Sequence, residues 1–518
     1  VKSVRHALLR VGFVASLPVF TTALGQLTPN QQKYVIDAVR IDRDIAMTGK
    51  LDDPRWALSA GVECPFEIEP GENTPARQHT RVKFLYTAQA LYVGFICFDT
   101  AASFIRAHLT DRDNNFSDDW VYIEIDPYRD NQRAYEFVVN PLGIQSDLMR
   151  TGNNEDPTWD AVWRSRAALS DSGYTVEIEI PFKSIRFPNA DVQDWSVMLI
   201  RNYPRESRYQ FSWTPIDRNN PCSICMTGTL RGLQGLESGG TVEVLPYVMG
   251  FQSGNMNDVE DPASGFTNEK VRGRVGGGVR YAPNPALSFH AVANPDFSQV
   301  ESDATQISVN TTFAIFYPEK RPFFLDGADL YSTQIRDFHS RMINNPLWAA
   351  QVVQKSQHLT VVYLAAEDRN TPFIVPGEEG SAFVESSLRS FSNIFRARYD
   401  FGTRSFLGVI GTARTLEGAH NATGGLDWNL LFGENNTFLG QFLLSHTREV
   451  NDTSVYSDTH CYGSSGPSTA FDGDAFGGSA LHAQFSHDAR HYSYQIMYED
   501  FSPRFQAQNG FVTGNDLR

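Results

Sequence analysis

The chain has 518 residues, long for one domain, and its 39 Gly, 36 Phe and 20 Tyr favour strands and turns over helices. A formal net charge of −16 argues against a nucleic-acid partner, because phosphates are held by a clustered excess of Lys and Arg. Beyond the first segment no run approaches the roughly 20 apolar residues of a membrane helix, so the chain either is soluble or crosses a membrane as strands.

Lys2, Arg5 and Arg10 precede the apolar run 11–20, and a small-residue exit follows at Ala23 and Gly25. This is the order of a secretory signal peptide, here residues 1–26. Export to an oxidising compartment bears on the five cysteines. Cys222 and Cys225 are either a local disulfide or incidental thiols, and Cys64, Cys97 and Cys461 do not supply the second close pair of a zinc ribbon.

Residues 27–235 show short alternating or apolar runs separated by polar turns, which predicts an antiparallel β-sandwich. In the run 174–180, Val176, Ile178 and Ile180 share one face and Thr175, Glu177 and Glu179 the other, so one face is expected in the core and one in water.

From 236 to 518 the strands lengthen to about ten residues, and lipid-compatible positions alternate with polar ones along whole strands. Val271, Val275, Val279 and Tyr281 lie on one face of a strand whose other face carries Arg272, Arg274 and Arg280. Three arginines on one face need water or counter-charge. Leu426, Trp428, Leu430 and Phe432 opposite Asp427 and Asn429 repeat the pattern. The expected fold class is therefore all-β: an N-terminal antiparallel β-sandwich plus a C-terminal antiparallel transmembrane β-barrel. The last residues form no closing strand, which predicts a barrel incomplete at its C-terminus. The alternative is a large soluble β-sheet domain.

Five fragments in order resemble the family 9 carbohydrate-binding modules: IDRDIAMTGKLDDPRWALSA (41–60), LYVGFICFDT (91–100), SDDWVYIEIDP (117–127), YEFVVNPLG (135–143) and YTVEIEIPFKSI (174–185). The second half resembles the uncharacterised outer-membrane barrel that follows such modules in many bacterial envelope proteins, through ANPDFSQVESDATQISVNTTFAIFYPEKRPFFLDGADLY (293–331) and RNTPFIVPGEEGSA (369–382). The resemblance implies a glycan slot made by two aromatic clamps and polar ligands. Phe116 stands at the first clamp position, the loop 216–226 at the second has no aromatic residue, Asn140 matches a polar ligand, and Val138 stands where the family usually has Arg. Trp159 and Trp163 offer a different aromatic platform or are core residues.

Two further groups stand out. Asp99, Asp111, Asp113, Asp118 and Asp119 gather hard oxygen donors, either as a calcium site or as a solvated acidic loop. Glu319, Lys320 and Arg321 concentrate charge between apolar runs, either as a barrel constriction or as an ordinary turn.

The leading functional expectation is a non-enzymatic outer-membrane protein whose sandwich binds a glycan or surface polysaccharide, while the barrel contacts lipid and anchors it or forms a passage. A second is a transport or anchoring protein whose sandwich no longer binds sugar and only caps the barrel. A third is a haem-binding sandwich, with Met149 and His108 as ligands. A fourth is glycoside hydrolysis, which modules of this kind accompany; no nucleophile elbow, zinc motif or phosphate loop supports an enzyme, so a hydrolase role would follow from association alone.

Overall fold

The computed structural model describes residues 27–517 apart from 238–240, 259–260, 262, 296–311, 318, 326, 459 and 464–465. The expected signal peptide lies outside the described residues. Among these, no helix is long and apolar enough to cross a membrane.

The first region is two sheets packed face to face, one of ten strands and one of six. The larger is centred on Trp120–Asp126, Arg133–Val139 and Val192–Pro204, and the smaller on Thr80–Tyr86, Ala90–Phe98 and Gly173–Pro181. Alternate residues of these strands meet between the sheets: Phe84, Val93 and Phe95 from one side, Ile123, Ile125, Phe137, Val197 and Leu199 from the other. This is the period-2 logic of a sandwich core.

Val176, Ile178 and Ile180 are fully buried in that core, as expected. The expected wet face is not wet. Glu177 is also buried, because the segment around Gly49 lies across the sheet. The Thr48 and Gly49 N–H groups donate to Glu177 Oε2 at 2.7 and 2.6 Å, and the Trp56 indole donates to Oε1 at 3.0 Å. Gly49 has φ +83°, and a Cβ there would meet the Ala167 backbone at 2.7 Å. The Gly-Lys-Leu-Asp-Asp motif is thus a strap whose unpaired amides are satisfied by one carboxylate.

The sandwich's last strand ends at Gln234 and the second region's first strand begins at Thr241. This region is an eleven-stranded antiparallel sheet, called the wall below. Its first and last strands are not paired with each other among the described residues. Among the described residues the strands follow one another as an antiparallel sheet.

Unlike the sandwich, the wall exposes large apolar side chains on its outward face, while its covered face is mixed: Val362, Leu364, Ile394, Ile410 and Leu443 are buried there among polar residues. The outward face exposes Phe395, Tyr399, Leu407, Val409, Leu426, Phe442 and Leu444. Strand register lines these up, with Tyr399 beside Leu407, Val409 beside Leu426 and Leu426 beside Phe442. The covered face carries Arg396, Arg414, Asn421, Asp427, Gln441 and Thr447, all buried. Arg396 clamps Asp427 through both terminal nitrogens, and Arg414 donates to the carbonyls of Met342 at 2.6 Å and Pro372 at 2.9 Å. Segments 319–345 and 502–517 fill this side, Asn509 accepting from Arg414 at 3.1 Å and from Ser392 at 2.8 Å. Arg272 and Arg280 obtain the required counter-charge from Glu269 at 3.2 Å and Glu243 at 3.7 Å.

The sandwich docks on one end of the wall. Lys355 binds Asp130 at 3.0 Å and lies 4.3 Å from the centre of the Tyr128 ring. Arg398 donates to Gln132 at 2.8 Å, Arg186 to Ser288 at 3.0 Å, and Arg490 pairs with Glu72 at 2.7 Å. Burial and the neighbouring Asp130 push the Asp126 carboxyl well up, whereas Lys355 and the Gln132 amide overcome burial and hold Asp130 low. A cavity of about 110 Å³ remains in this junction, lined in part by Gln31, Arg129, Asp130, His358 and Asp400.

Candidate functional site

The outer face of the ten-stranded sheet is where the resemblance places a sugar slot. Trp120 and Tyr122 project from one strand, Val138 from the next, Leu148 from Gln145–Thr151 and Met198 from Val192–Pro204. In a wet slot these side chains would be open. Here Met226 is buried among them and Ile216 packs alongside, so the loop 216–226 lies over the face as a lid.

Local chemistry fixes the lid. Cys222 and Cys225 form a disulfide with Cα atoms 5.3 Å apart, and the turn Ile224–Met226 is buried. Asn73 accepts from the Ile216 amide and donates to its carbonyl, both at 2.8 Å. Arg218 donates to the carbonyls of Ile68 at 2.8 Å and Gly71 at 2.7 Å. The position expected to hold Arg is Val138, and it contributes apolar contact to the lid instead of a sugar ligand.

Beside this apolar patch lies a polar group that sequence reading missed. Glu124 and Glu136 face each other across neighbouring strands. The Tyr122 hydroxyl is 2.8 Å from a carboxyl oxygen of each, and Arg150 Nε touches both, at 2.9 Å from Glu124. One phenolic hydrogen cannot serve two carboxylates, so one carboxyl carries a proton and donates to the phenol oxygen. Burial first, then the Glu124 charge, pushes Glu136 up to about 7, and burial raises Glu124 as well. Glu124 Oε1 and Glu136 Oε2 are buried without a hydrogen-bond partner. The sequence signal was Tyr122-Ile-Glu124 in one run and Glu136 in the next; the pairing and registry that bring them together were not displayed by the sequence.

Asn140 does not reach a ligand. It is fully buried, and its amide nitrogen donates to the His108 carbonyl at 3.0 Å and to Asp118 at 2.9 Å. Its oxygen accepts from the Leu142 and Ile144 amides at 3.0 and 2.9 Å. All its hydrogen-bonding capacity is thus spent internally, half on the turn that contains Pro141 and Gly143 and half on His108 and Asp118. Phe116 is the expected site residue that remains open, with 44% of its surface exposed. It lies just before the strand Trp120–Asp126, at the end opposite the docked turn 127–132, and Phe104, Leu109 and Leu142 are exposed as well.

The two tryptophans divide. Trp163 is buried in the core against Phe137 at 5.1 Å, which corrects its expected place on a binding platform. Trp159 is half-buried, packed on Tyr135 at 5.1 Å and Phe137 at 5.9 Å, with only its rim free.

The five aspartates do not converge on one point. Asp99 and Asp119 both bind Arg205, at 2.6 and 2.8 Å, and the fully buried Arg201 lies 3.6 Å from Asp99. Asp118 faces the His108 imidazole at 2.5 Å and accepts from the His108 amide. Burial opposes ionisation of Asp118, but these bonds and Asn140 outweigh it and hold its carboxyl low. Asp113 accepts from the Asp147 amide at 3.1 Å, and Asp111 is exposed. A calcium ion at this cluster would have to displace guanidinium groups. Among the described residues no group of three or more His, Cys, Asp and Glu is placed to hold a metal. Of the two residues considered for haem, His108 is turned toward Asp118 and Met149 is buried.

The charged triplet of the wall is also engaged internally. Arg321 Nε donates to Glu319 at 2.8 Å, and its terminal nitrogens reach the Ile343 carbonyl at 2.6 Å and the Ser340 carbonyl at 2.7 Å. Lys320 is partly buried beside them. Glu319 and Arg321 thus pin the filling segment instead of lining an opening.

Two family models match the chain. Residues 48–207 match the family described as "Carbohydrate family 9 binding domain-like", and residues 243–363 match a domain of unknown function (DUF5916). Among curated proteins none matches. Similar solved structures include a family 9 carbohydrate-binding module from Caldicellulosiruptor kristjanssonii in complex with cellotriose, at 14% identity and TM-score 0.29, covering 38% of this chain and 92% of that one. The same module in complex with glucose is 13% identical with TM-score 0.28, covering 38% and 94%. A protein from Bacteroides uniformis is 13% identical with TM-score 0.33, covering 38% and 98%. Residues 48–207 are thus similar to the carbohydrate family 9 binding domains, and the sheet region that follows matches a domain of unknown function over residues 243–363.

Proposed function

We propose that the chain is a non-enzymatic cell-envelope protein in which the sandwich recognises a glycan and the wall, as part of a barrel, holds it in an outer membrane. The match of residues 48–207 to the carbohydrate-binding-like family carries the glycan reading. The membrane reading is supported by the wall's outward apolar band, a continuous row of exposed large hydrophobic side chains of the kind a lipid-facing strand array presents. Glu124 and Glu136 are sealed from solvent, so no glycosidic bond can sit between them as hydrolysis requires. Phe116 is the aromatic surface left for a sugar face to stack on.

The test is calorimetry on full-length protein in detergent against soluble plant, algal and bacterial glycans. Binding to one class, weakened by Phe116→Ala, is expected; silence across all three sinks the glycan reading. The buried slot supports a second reading, in which the sandwich only caps the wall. Planar-bilayer conductance that is unchanged by deleting the sandwich would argue against that cap.

A further inference from the structure

The two ends of the wall are not alike. At the sandwich end the strands are joined by the tight turns 285–286, 356–358, 402–404, 433–435 and 489–492. At the other end the connections 252–271, 294–345, 369–389 and 449–474 are long, and 417–418 is the one tight turn there. Membrane barrels have short turns on the periplasmic side and long loops outside.

A second observation marks the same end. Outward-facing aromatic pairs flank the tight turns: Tyr281 with Phe289 at 6.3 Å, Tyr399 with Phe401 at 6.4 Å, Trp428 with Phe438 at 5.7 Å and Phe485 with Tyr494 at 6.2 Å. Aromatic rings on an apolar wall gather where lipid meets water, since one end of the ring is satisfied by each. The sandwich contacts made by Lys355, Arg398, Ser288 and Arg490 all sit at or just beyond this girdle, on its water side.

Trp120–Asp126 runs toward the docked turn 127–132, so the loop 99–119 with Phe104, Leu109 and Phe116 lies at the opposite end of that strand. We infer that the sandwich stands on the periplasmic side, and that its ligand is a glycan of the space inside the outer membrane, a cell-wall glycan strand or a periplasmic oligosaccharide. Surface polysaccharide is excluded by this placement. The inference rests on the membrane reading of the wall.

A membrane-impermeant maleimide applied to cells carrying the full-length protein tests it. Cys461 is exposed on the connection 449–474, whereas Cys64 and Cys97 are buried, so the native chain is expected to label on intact cells through Cys461. In a Cys461→Ser background, Leu109→Cys and Phe104→Cys place thiols on exposed sandwich positions. They are expected to stay unlabelled on intact cells and to label once the outer membrane is permeabilised. Labelling of either sandwich thiol on intact cells, or of Cys461 only after permeabilisation, overturns the sidedness while leaving the membrane reading intact. Release of the protein from cell envelopes by a detergent-free alkaline wash overturns the membrane reading and the inference with it.

Discussion

The two regions solve the same backbone problem differently. In the sandwich, Phe137, Ile178 and Trp195 are enclosed and the ladder edges meet water. In the wall, Leu426, Val409 and Phe442 face outward while Arg396, Asp427 and Arg414 are enclosed. A sheet does not dictate which face is dry; its surroundings do. A sandwich supplies its own apolar environment from the second sheet, whereas the wall relies on its filling segments, which bring both apolar side chains such as Phe323, Phe324 and Phe505 and hydrogen-bonding groups such as Asn509 to its mixed covered face.

The contrast is open to direct attack, and the largest effect is expected in the sandwich core. Ile178→Asp places a carboxylate where no partner exists, and a cost above about 4 kcal/mol is expected. Loss of the cooperative urea transition of the sandwich would show it; a near-native midpoint would mean the core is not as closed as described. In the wall, Arg396→Met leaves Asp427 buried and uncompensated, for which about 3–5 kcal/mol is expected, read as a lowered melting temperature in detergent. Equal loss from the exposed pair Arg231→Ala, 2.7 Å from Asp37, would contradict the burial argument, since exposed pairs contribute roughly 0–1 kcal/mol.

Leu426→Arg sharpens the comparison from the lipid side. On a bilayer-facing strand it costs about 2–4 kcal/mol and is expected to lower the fraction of protein recovered in outer membranes. On a water-facing strand the same change would be harmless, and undiminished recovery would count against the proposed span.

The smallest effect concerns pH. Burial raises Glu136 from an ordinary carboxyl value to about 7, so the folded sandwich holds a proton that the unfolded chain releases near pH 4.5. Stability is therefore highest below the unfolded value and declines as pH rises through the window from about 4.5 to 7. Glu136→Gln removes that decline, a gain on the order of 1–3 kcal/mol at neutral pH. Urea midpoints at pH 5 and pH 8 check the sign; a variant whose midpoint still falls as steeply would place the proton elsewhere.

Most strands were legible because their signal is local. The runs around Phe84, Val93, Ile123, Phe137 and Ile178 are short, alternating or wholly apolar, and bounded by polar turns, a pattern that needs no knowledge of the partner strand. What the sequence hid depends on distant residues. Glu177 has the pattern of a solvated position and is covered by a strap some 130 residues earlier in the chain, at Thr48 and Gly49. The acidic run near Asp118 has the composition of a cation site, and only the fold brings Arg201 and Arg205 to Asp99 and Asp119. Asn140 matches a polar ligand in sequence, but the fold gives its four hydrogen bonds to His108, Asp118 and the turn 140–144. The outer slot was read as weakened by a missing aromatic, whereas the structure adds that Met226 and Ile216 occupy it.

That occupied slot has a thermodynamic meaning. A sugar entering between Tyr122 and Val138 competes with a loop of the same molecule, tethered by Asn73, Arg218 and the Cys222–Cys225 bridge. Its apparent affinity is the intrinsic affinity multiplied by the fraction of molecules with the loop lifted; an open population of about one in a hundred weakens binding about a hundredfold. Weakening the tether would then strengthen binding without adding a single contact to the sugar.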